Sequence, residues 1–264
     1  MSNSTPNLNH LFQTAHAEGE LSAQGLQTLT IQADMGSQIQ AGLGIDPDDV
    51  PSAEVVLVTM MPDDSGSIRF AGNTQVVREG HNLVLDALGQ CQQQDELLVH
   101  TRYLNGRVLF PYCQLGDTTR MSKQNYNPDR GTPLYDQAAV VLGTVMAKAW
   151  EFQDHGVPVR TVTLLITDGA DEHSRHQSAA TVRALVDDMR RSESHIVAAM
   201  GIDNGSTNFR QVLQEMGIVD EWILTPGNSA REIRAAFQVF SQSAVRVSQG
   251  SAAFSSALGG FATR

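Results

Sequence analysis

Residues 55–67 read VVLVTMMPDDSGS, and this stretch decides the predicted fold. The apolar run Val55–Met61 is typical of a strand that is buried on both faces. Asp63, Ser65 and Ser67 follow at alternate positions, where the chain is expected to turn. Open α/β sheets bind ligands at the carboxyl ends of their parallel strands. One carboxylate and two hydroxyls at this point therefore predict an oxygen cluster that suits Mg²⁺ or Mn²⁺.

Strand-like and helical patterns alternate through the rest of the chain. Parallel strands joined by helices imply a sheet that helices cover on both faces. Asn105-Gly106 lies between two strand-like runs and predicts a hairpin, which adds an antiparallel edge strand. We therefore predict an α/β fold with a doubly wound, mostly parallel, Rossmann-like sheet and one antiparallel edge strand. The predicted strands are 54–61, 96–103, 107–112, 159–166, 194–202 and 219–225, and the predicted helices are 74–93, 133–152, 176–191, 208–216 and 230–247.

The first fifty residues differ from the rest of the chain. Residues 1–50 hold six acidic side chains and neither lysine nor arginine. Apolar residues at helical spacing predict three short helices here, so we expect a helical N-terminal extension. Three interpretations stay open: the extension packs on the main domain, docks a partner, or is disordered. We predict a main domain over 51–248 and a flexible C-terminal tail over 249–264, with docking of the tail onto a partner as the alternative.

The composition limits the classes of function. The chain of 264 residues has 41% hydrophobic residues, 29 acidic and 18 basic side chains, and a formal charge of -11. This excess of acid disfavours sequence-independent nucleic-acid binding and attraction to anionic membranes, so we expect neither nucleic acid nor membrane as a partner. Two cysteines, no signal-peptide pattern and no long apolar stretch predict a cytoplasmic location.

Two later loops carry further oxygen donors. Thr132 lies at the start of a predicted helix, and Asp168 directly follows a predicted buried strand. The first and fourth strands of a doubly wound sheet are neighbours. We therefore expect Asp63, Ser65, Ser67, Thr132 and Asp168 to converge on one divalent cation, Mg²⁺ or otherwise Mn²⁺ or Ca²⁺. Because Mg²⁺ uses few carboxylates, the shell is expected to keep an open position that a partner's carboxylate would fill.

The order Asp-Xaa-Ser-Xaa-Ser, Gly-Thr-Pro-Leu and Thr-Asp-Gly resembles the metal-ion-dependent adhesion site of the von Willebrand factor type A (VWA) family. The resemblance covers roughly residues 53–247, including the order of strands and helices. It implies that Ser65, Ser67 and Thr132 contact the metal directly and that the two carboxylates hold it directly or through water. Members of the family generally bind proteins rather than catalyse. Cytosolic prokaryotic members commonly act as adaptors for ATPases or stress-response proteins.

Acidic and histidine side chains beside the motifs admit structural interpretations. Asp64 stands where a small neutral residue is more common in the family, and we expect it to be exposed. Asp171 and Glu172 contribute outer-shell charge to the metal or cap the helix that follows, and both hypotheses stay open. His173 and His176 lie three residues apart, and we interpret them as a solvated helix start rather than a soft-metal pair.

Three hypotheses about function follow. The leading hypothesis is a cytoplasmic, non-enzymatic adaptor that captures a partner's Asp or Glu through the bound cation, with an ATPase or stress-response complex as the expected type of partner. An Mg²⁺-dependent phosphoryl hydrolase would need a phosphate-binding cation, and Arg130 is the nearby basic residue that we name for this role. A structural subunit of a homo-assembly is the third hypothesis. The chain has no phosphate-binding loop motif, so we do not expect it to be an ATPase itself.

Overall fold

The computed structural model describes residues 7–30, 34–91, 94–249 and 260–261. No helix within these ranges combines the length and the apolar character that crossing a bilayer requires. The strands are β1 (Val55–Met61), β2 (Leu97–Arg102), β3 (Val108–Gln114), β4 (Val159–Thr167), β5 (His195–Gly201) and β6 (Ile223–Leu224). The helices are α1 (Leu8–Ala17), α2 (Ala23–Thr30), α3 (Met35–Leu43), α4 (Gly66–Phe70), α5 (Thr74–Leu88), α6 (Leu134–Asp154), α7 (Ala179–Arg191), α8 (Phe209–Glu215) and α9 (Ala230–Gln249).

The strands form one sheet in the order β3-β2-β1-β4-β5-β6. β1 pairs in parallel with β2 on one side and with β4 on the other, so the direction of winding reverses beside β1. β2 and β3 form the antiparallel hairpin that Asn105-Gly106 predicts, and β3 is the edge strand. Met61 lies opposite Leu165, so β1 and β4 end at nearly the same level of the sheet. The predicted doubly wound fold is confirmed, and the segments that follow β1 and β4 leave the sheet side by side.

The central strands and α6 form the core. Every residue of β1 and β5 is buried, as their continuous apolar runs predict for strands covered on both faces. α6 is buried around nearly its whole circumference, because it contacts β1 and β4 on one side and α1 and α3 on the other. A helix with apolar residues around most of its circumference is typical of such a buried position. The start of α6, which carries the loop with Thr132, is therefore fixed relative to the sheet.

The N-terminal helices pack on the main domain. α3 contacts α6, and α2 contacts α7. Asp188 of α7 accepts hydrogen bonds from the backbone nitrogen of Ser22 at 3.0 Å and from its hydroxyl at 2.9 Å. The backbone nitrogen of Ile45 donates to the carbonyl of Tyr112 on the edge strand β3 at 2.9 Å. This packing agrees with the interpretation that the extension packs on the main domain. The domain limits 1–50 and 51–248 stay predictions.

Element limits differ from the prediction where capping or short length decides them. The predicted helix 176–191 begins only at Ala179, because Ser178 caps its first turn. The predicted strand 219–225 is reduced to the two residues of β6, since a 3-10 turn occupies Asp220–Trp222. α4 has only five residues, and the sequence gives no periodic signal for a helix so short.

Most of the predicted tail, 249–264, lies outside the described residues, and its flexibility stays a prediction. Phe261 is described and is buried. Its ring meets that of Trp222 edge to face, with centroids 5.1 Å apart, and its backbone nitrogen donates to the carbonyl of Glu221 at 2.8 Å. At this position the chain contacts its own fold.

Candidate metal centre

Asp63 joins the ends of the two central strands. Its Oδ1 accepts a hydrogen bond from the backbone nitrogen of Ser65 at 2.7 Å, which turns the chain towards α4. Its Oδ2 accepts from the hydroxyl of Thr167 at 2.9 Å and from the backbone nitrogen of Asp168 at 3.2 Å, both at the end of β4. The side chain is fully buried. Because both of its oxygens hold backbone or strand-end groups, Asp63 fixes the relative positions of the β1 and β4 loops.

Ser65, Ser67 and Asp168 form an oxygen cluster where β1 and β4 end. The two hydroxyl oxygens are 2.8 Å apart. Oδ1 of Asp168 accepts from the hydroxyl of Ser67 at 2.5 Å and from that of Ser65 at 3.5 Å. Adjacent ligands of a six-coordinate Mg²⁺, each about 2.1 Å from the ion, lie about 3 Å from each other. The three oxygens therefore have separations that fit adjacent positions of one Mg²⁺ shell.

Thr132 is buried beside Gly169, the residue that follows Asp168. A Cβ atom added to Gly169 would lie 3.5 Å from the hydroxyl oxygen of Thr132. The backbone nitrogen of Thr132 donates to Nδ1 of His173 at 3.0 Å, and its carbonyl accepts from the backbone nitrogen of Glu172 at 3.1 Å. Its hydroxyl makes no hydrogen bond within the part of the chain that the structure describes, so the oxygen is available as a ligand.

The structure thus brings the five predicted site residues into one region. Asp63, Ser65, Ser67 and Asp168 are linked by direct hydrogen bonds. Thr132 is linked to the loop that follows Asp168 by its hydrogen bonds with Glu172 and His173. The roles assigned to them as metal ligands stay predictions.

The carboxyl groups of the site lack positive neighbours. Burial raises the pKa of Asp63, and burial together with the charge of Asp63 raises the pKa of Asp168 to about 6, although hydrogen bonds from Ser67 and Ser65 oppose the rise. No salt bridge within the described ranges reaches either carboxyl group. A divalent cation would supply the missing positive charge, so the electrostatics of the site fit a metal ion.

The donor set restricts the kind of metal. Among the described residues, no group of three or more His, Cys, Asp or Glu side chains is arranged to hold a metal. A cation at this site therefore depends on the hydroxyls of Ser65, Ser67 and Thr132 in addition to the carboxylates. Such an all-oxygen set suits the hard cations Mg²⁺, Mn²⁺ and Ca²⁺ rather than Zn²⁺ bound by nitrogen and sulfur.

Asp64 is buried, and the prediction that it is exposed is wrong. Its Oδ1 accepts a hydrogen bond from the backbone nitrogen of Asn105 at 3.0 Å, in the β2–β3 turn. Its carbonyl accepts from the backbone nitrogens of Asp129 and Arg130 at 3.1 and 3.2 Å. Burial raises the pKa of Asp64 to about 7. Asp64 was misassigned because its partners lie in two distant loops that local sequence does not place.

The loop between β4 and α7 is held against the start of α6 by two acidic side chains. Buried Asp136 accepts hydrogen bonds from the backbone nitrogens of residues 175–177 at 2.9, 3.1 and 2.7 Å. Asp171 accepts from the backbone nitrogen of Tyr135 at 3.2 Å. Asp171 therefore supports the start of α6 and does not cap α7. Sequence reasoning missed Asp136, because its partners are 39 to 41 residues away.

His173 and His176 are exposed, as predicted, but they do not begin a helix. They lie in the loop before α7, which Ser178 caps. Nδ1 of His173 accepts the hydrogen bond from the backbone of Thr132, a contact that the sequence did not indicate. The imidazole of His173 is therefore a support for one predicted ligand rather than half of a soft-metal pair.

Two further side chains fix the backbone of the predicted ligands. The hydroxyl of Tyr126 donates to the carbonyl of Asp63 at 2.5 Å. The side-chain amide of Asn204 donates to the carbonyl of Asp168 at 2.9 Å. Neither contact has a local sequence signal. Both carboxylate-bearing loops are thus attached to segments that lie outside the three motifs.

Comparison with known proteins gives the fold but no family. No family model matches the chain, and no curated protein matches it. Among solved structures, the pilus adhesin SpaC from Lactobacillus rhamnosus GG in its open conformation is similar, with 14% identity and a TM-score of 0.54 over 73% of this chain. A second form of SpaC gives 14% identity and a TM-score of 0.53, also over 73% of the chain. The chain spans about 30% of the length of that adhesin.

A VWA domain is also among the similar structures. The SpRpn10 VWA domain has 9% identity and a TM-score of 0.48, over 72% of this chain and 95% of that domain. A likeness at that level carries no argument about function. The likeness to SpaC, at 14% identity, concerns the fold alone.

Proposed function

We propose that this chain is a VWA-type, metal-dependent protein-binding domain that works as an adaptor. The observation that carries the proposal is the cluster of Ser65, Ser67 and Asp168 oxygens, with separations of 2.8, 2.5 and 3.5 Å at the ends of the central strands. These separations match adjacent ligands of one Mg²⁺ ion. The sequence motifs that place these oxygens resemble the metal-ion-dependent adhesion site of the VWA family.

In this proposal Ser65, Ser67 and Thr132 provide hydroxyl ligands, and Asp168 provides a carboxylate. Asp63 orients the β1 and β4 loops and carries further negative charge. A divalent cation, Mg²⁺ or otherwise Mn²⁺ or Ca²⁺, would supply a Lewis-acidic position for a carboxylate from outside the chain. The protein's part is to present this position in a fixed geometry, since Asp63 is hydrogen-bonded to the end of β4 and the β4–α7 loop is hydrogen-bonded to α6.

We propose that the partner supplies an Asp or Glu side chain and that the chain does not catalyse. A phosphoryl hydrolase would need a cation directed at the metal site. The side chain of Arg130 instead pairs with Asp129 at 3.2 Å, and only its backbone carbonyl bonds the site loop, at Gly66. These contacts favour capture of a carboxylate over turnover of a phosphoester.

We place the adaptor in the prokaryotic cytoplasm, with an ATPase or a stress-response complex as the expected type of partner. The resemblance to cytosolic VWA adaptors supports this assignment. The formal charge of -11 is in keeping with a protein partner and disfavours nucleic acid and anionic membranes. The cytoplasmic location and the partner class are proposals that rest on the sequence.

Affinity capture tests the adaptor function. Full-length protein immobilised in MgCl₂ is expected to retain a specific partner from native lysate, and EDTA is expected to release it. Ser65→Ala should lose the partner because a predicted ligand is removed. Ser192→Ala is the matched control, since its exposed hydroxyl precedes the opposite, amino end of β5. Capture that is unchanged in EDTA and in Ser65→Ala would contradict the proposal.

A further inference from the structure

Phe70 is an exposed aromatic residue next to the candidate metal centre. Its residue surface is 82% exposed, and it is the one strongly exposed large hydrophobic side chain among the described residues. Single exposed apolar residues are common on protein surfaces and need no explanation by themselves. The Phe70 ring is of interest because it lies close to the predicted metal ligands.

The Phe70 ring lies beside the segment that carries two of the predicted ligands. Phe70 ends α4, which starts directly after Ser65. Its Cε2 atom would be 3.5 Å from a Cβ atom placed on Gly66, between Ser65 and Ser67. Gly66 has no side chain, so no atom of that residue's side chain separates the Phe70 ring from the backbone of the segment Ser65–Ser67. A segment bound at the metal would therefore pass within reach of the ring.

Two basic side chains lie near this apolar surface. The guanidinium of Arg69 lies over the Phe70 ring, 5.2 Å from its centroid, and Arg69 makes no ion pair within the described ranges. Arg130, also exposed, follows on the neighbouring loop, where its carbonyl accepts from the nitrogen of Gly66 at 2.9 Å. Because the side chain of Arg130 pairs with Asp129 at 3.2 Å, Arg69 is the cation that suits an acidic segment with an apolar side chain, even though the chain as a whole carries a charge of -11.

We propose that Phe70 and Arg69 form a specificity surface that reads the residues flanking the partner's metal-binding carboxylate. The occupant is an acidic segment of a partner protein, with a large apolar side chain one or two residues from its Asp or Glu. The apolar side chain packs on Phe70, and a further acidic side chain pairs with Arg69. This inference rests on the proposed metal-dependent capture of a carboxylate and adds which sequences are captured.

A peptide array tests the surface with a defined probe. Synthetic peptides carry one central Asp, flanked at one or two positions by Leu, Ala or Lys, and binding of full-length protein is measured in MgCl₂ and in EDTA. We expect Leu-flanked peptides to bind about tenfold more tightly than Ala-flanked peptides, because the Phe70 ring gains an apolar contact. Lys-flanked peptides should bind most weakly because of repulsion from Arg69.

Variants separate this inference from the proposed function. Phe70→Ser is expected to lose the Leu preference while keeping Mg²⁺-dependent, Asp-dependent binding, and Phe70→Leu is expected to restore the preference. Since the ring is exposed, the thermal midpoint of Phe70→Ser should match that of the wild type.

Four outcomes overturn the inference. A Leu preference that persists in Phe70→Ser, or equal binding of Leu- and Ala-flanked peptides, contradicts it and leaves the proposed function intact. A wild-type dimer in sedimentation that Phe70→Ser dissociates would assign the ring to contact between copies of the chain. Failure of the wild type to bind any Asp peptide in MgCl₂ would overturn both the inference and the metal-dependent capture.

Discussion

The ionised carboxylate of Asp168 is destabilised by burial and by the charge of Asp63, and a bound metal ion would offset this cost. This carboxyl group is buried beside Asp63, and the pKa of Asp168 is raised to about 6. A raised pKa means that the ionised carboxylate is less stable in the folded chain than in the unfolded chain. Without metal, the free energy of unfolding should therefore fall as the pH rises from about 4 to about 6. Each pH unit in this range is worth about 1.4 kcal/mol.

Asp168→Asn removes the buried charge and most of this cost. In EDTA at pH 8 we expect the variant to be about 1 to 3 kcal/mol more stable than the wild type, because weakened hydrogen bonds from Ser65 and Ser67 offset part of the gain. In MgCl₂ only the wild type should gain stability. Urea denaturation in both buffers measures this, with Asp187→Asn, whose side chain is 47% exposed, as the control. Equal stabilisation of variant and wild type by Mg²⁺ would refute the assignment of Asp168 as a ligand.

His195 tests the electrostatics of the core away from the metal. It is buried at the start of β5, its Nδ1 lies 2.8 Å from the hydroxyl of Thr161, and burial lowers its pKa to about 4. Between about pH 6.5 and 4, the His195 imidazole is therefore protonated in the unfolded chain but neutral in the folded chain. Stability contributed by the neutral ring is complete above pH 6.5 and is lost as the pH falls towards 4.

His195→Gln is expected to reduce this loss on the acid side. The difference in unfolding free energy between pH 7 and pH 4 should be smaller in the variant by up to about 3 kcal/mol, because one fewer proton is taken up on unfolding. Denaturant titrations at a series of pH values measure the slope. Parallel pH curves for variant and wild type would show that His195 has the same pKa in the folded and the unfolded protein, which contradicts the lowered pKa.

At the level of elements, the β4–α7 loop depends on the start of α6. Asp136 accepts three backbone hydrogen bonds from residues 175–177, and Asp171 holds the nitrogen of Tyr135. The same loop begins with Asp168 and passes Thr132. Asp136, which is not itself a candidate ligand, therefore helps to position the loop that carries Asp168.

Asp136→Ala would leave these three donors without their acceptor. We expect a loss of about 2 to 4 kcal/mol in unfolding free energy and weaker Mg²⁺ binding, since the loop carrying Asp168 loses three of its hydrogen bonds to α6. Asp136→Asn should lose less, and Asp154→Ala, exposed at the other end of the same helix, should change neither quantity. Denaturation and metal titration of the purified variants measure both effects. Unaltered Mg²⁺ affinity in Asp136→Ala would show that the loop keeps its geometry without this support.

Local sequence was sufficient for much of the fold. The apolar run of β1 and the Asn105-Gly106 turn are short-range signals, and they predicted a buried strand and a hairpin where the structure has them. α4 was missed because five residues give no periodicity. This short helix is important for the candidate site, since α4 carries Ser67 and ends in the exposed Phe70.

The candidate site could be predicted only in part, because its support is long-range. Ser65, Ser67 and Asp168 were found from their place after strands and from the neighbouring positions of the first and fourth strands. Asp64 and Asp136 bond backbone groups about 40 residues away, and nothing in their local sequence indicates those partners. The sequence therefore predicts which side chains lie at the sheet edge better than it predicts the long-range hydrogen bonds that position them.

At the scale of the whole molecule, the extension and the sheet share one core. α1 and α3 cover the side of α6 that faces away from the sheet, and α6 in turn positions the loops of the candidate centre. The proposed adaptor function would depend on a small polar site at one edge of this sheet. Metal binding by the intact chain is thus the property on which the account depends.

Isothermal titration of the full chain with MgCl₂ tests that property most directly. We predict binding of one Mg²⁺ per chain at pH 7.5, its loss in Ser65→Ala because a hydroxyl ligand is removed, and its retention in Ser192→Ala. MnCl₂ and CaCl₂ titrations extend the test to the other two hard cations. Absence of binding for all three cations, or binding that Ser65→Ala leaves unchanged, would contradict the assignment of a metal centre to the ends of β1 and β4.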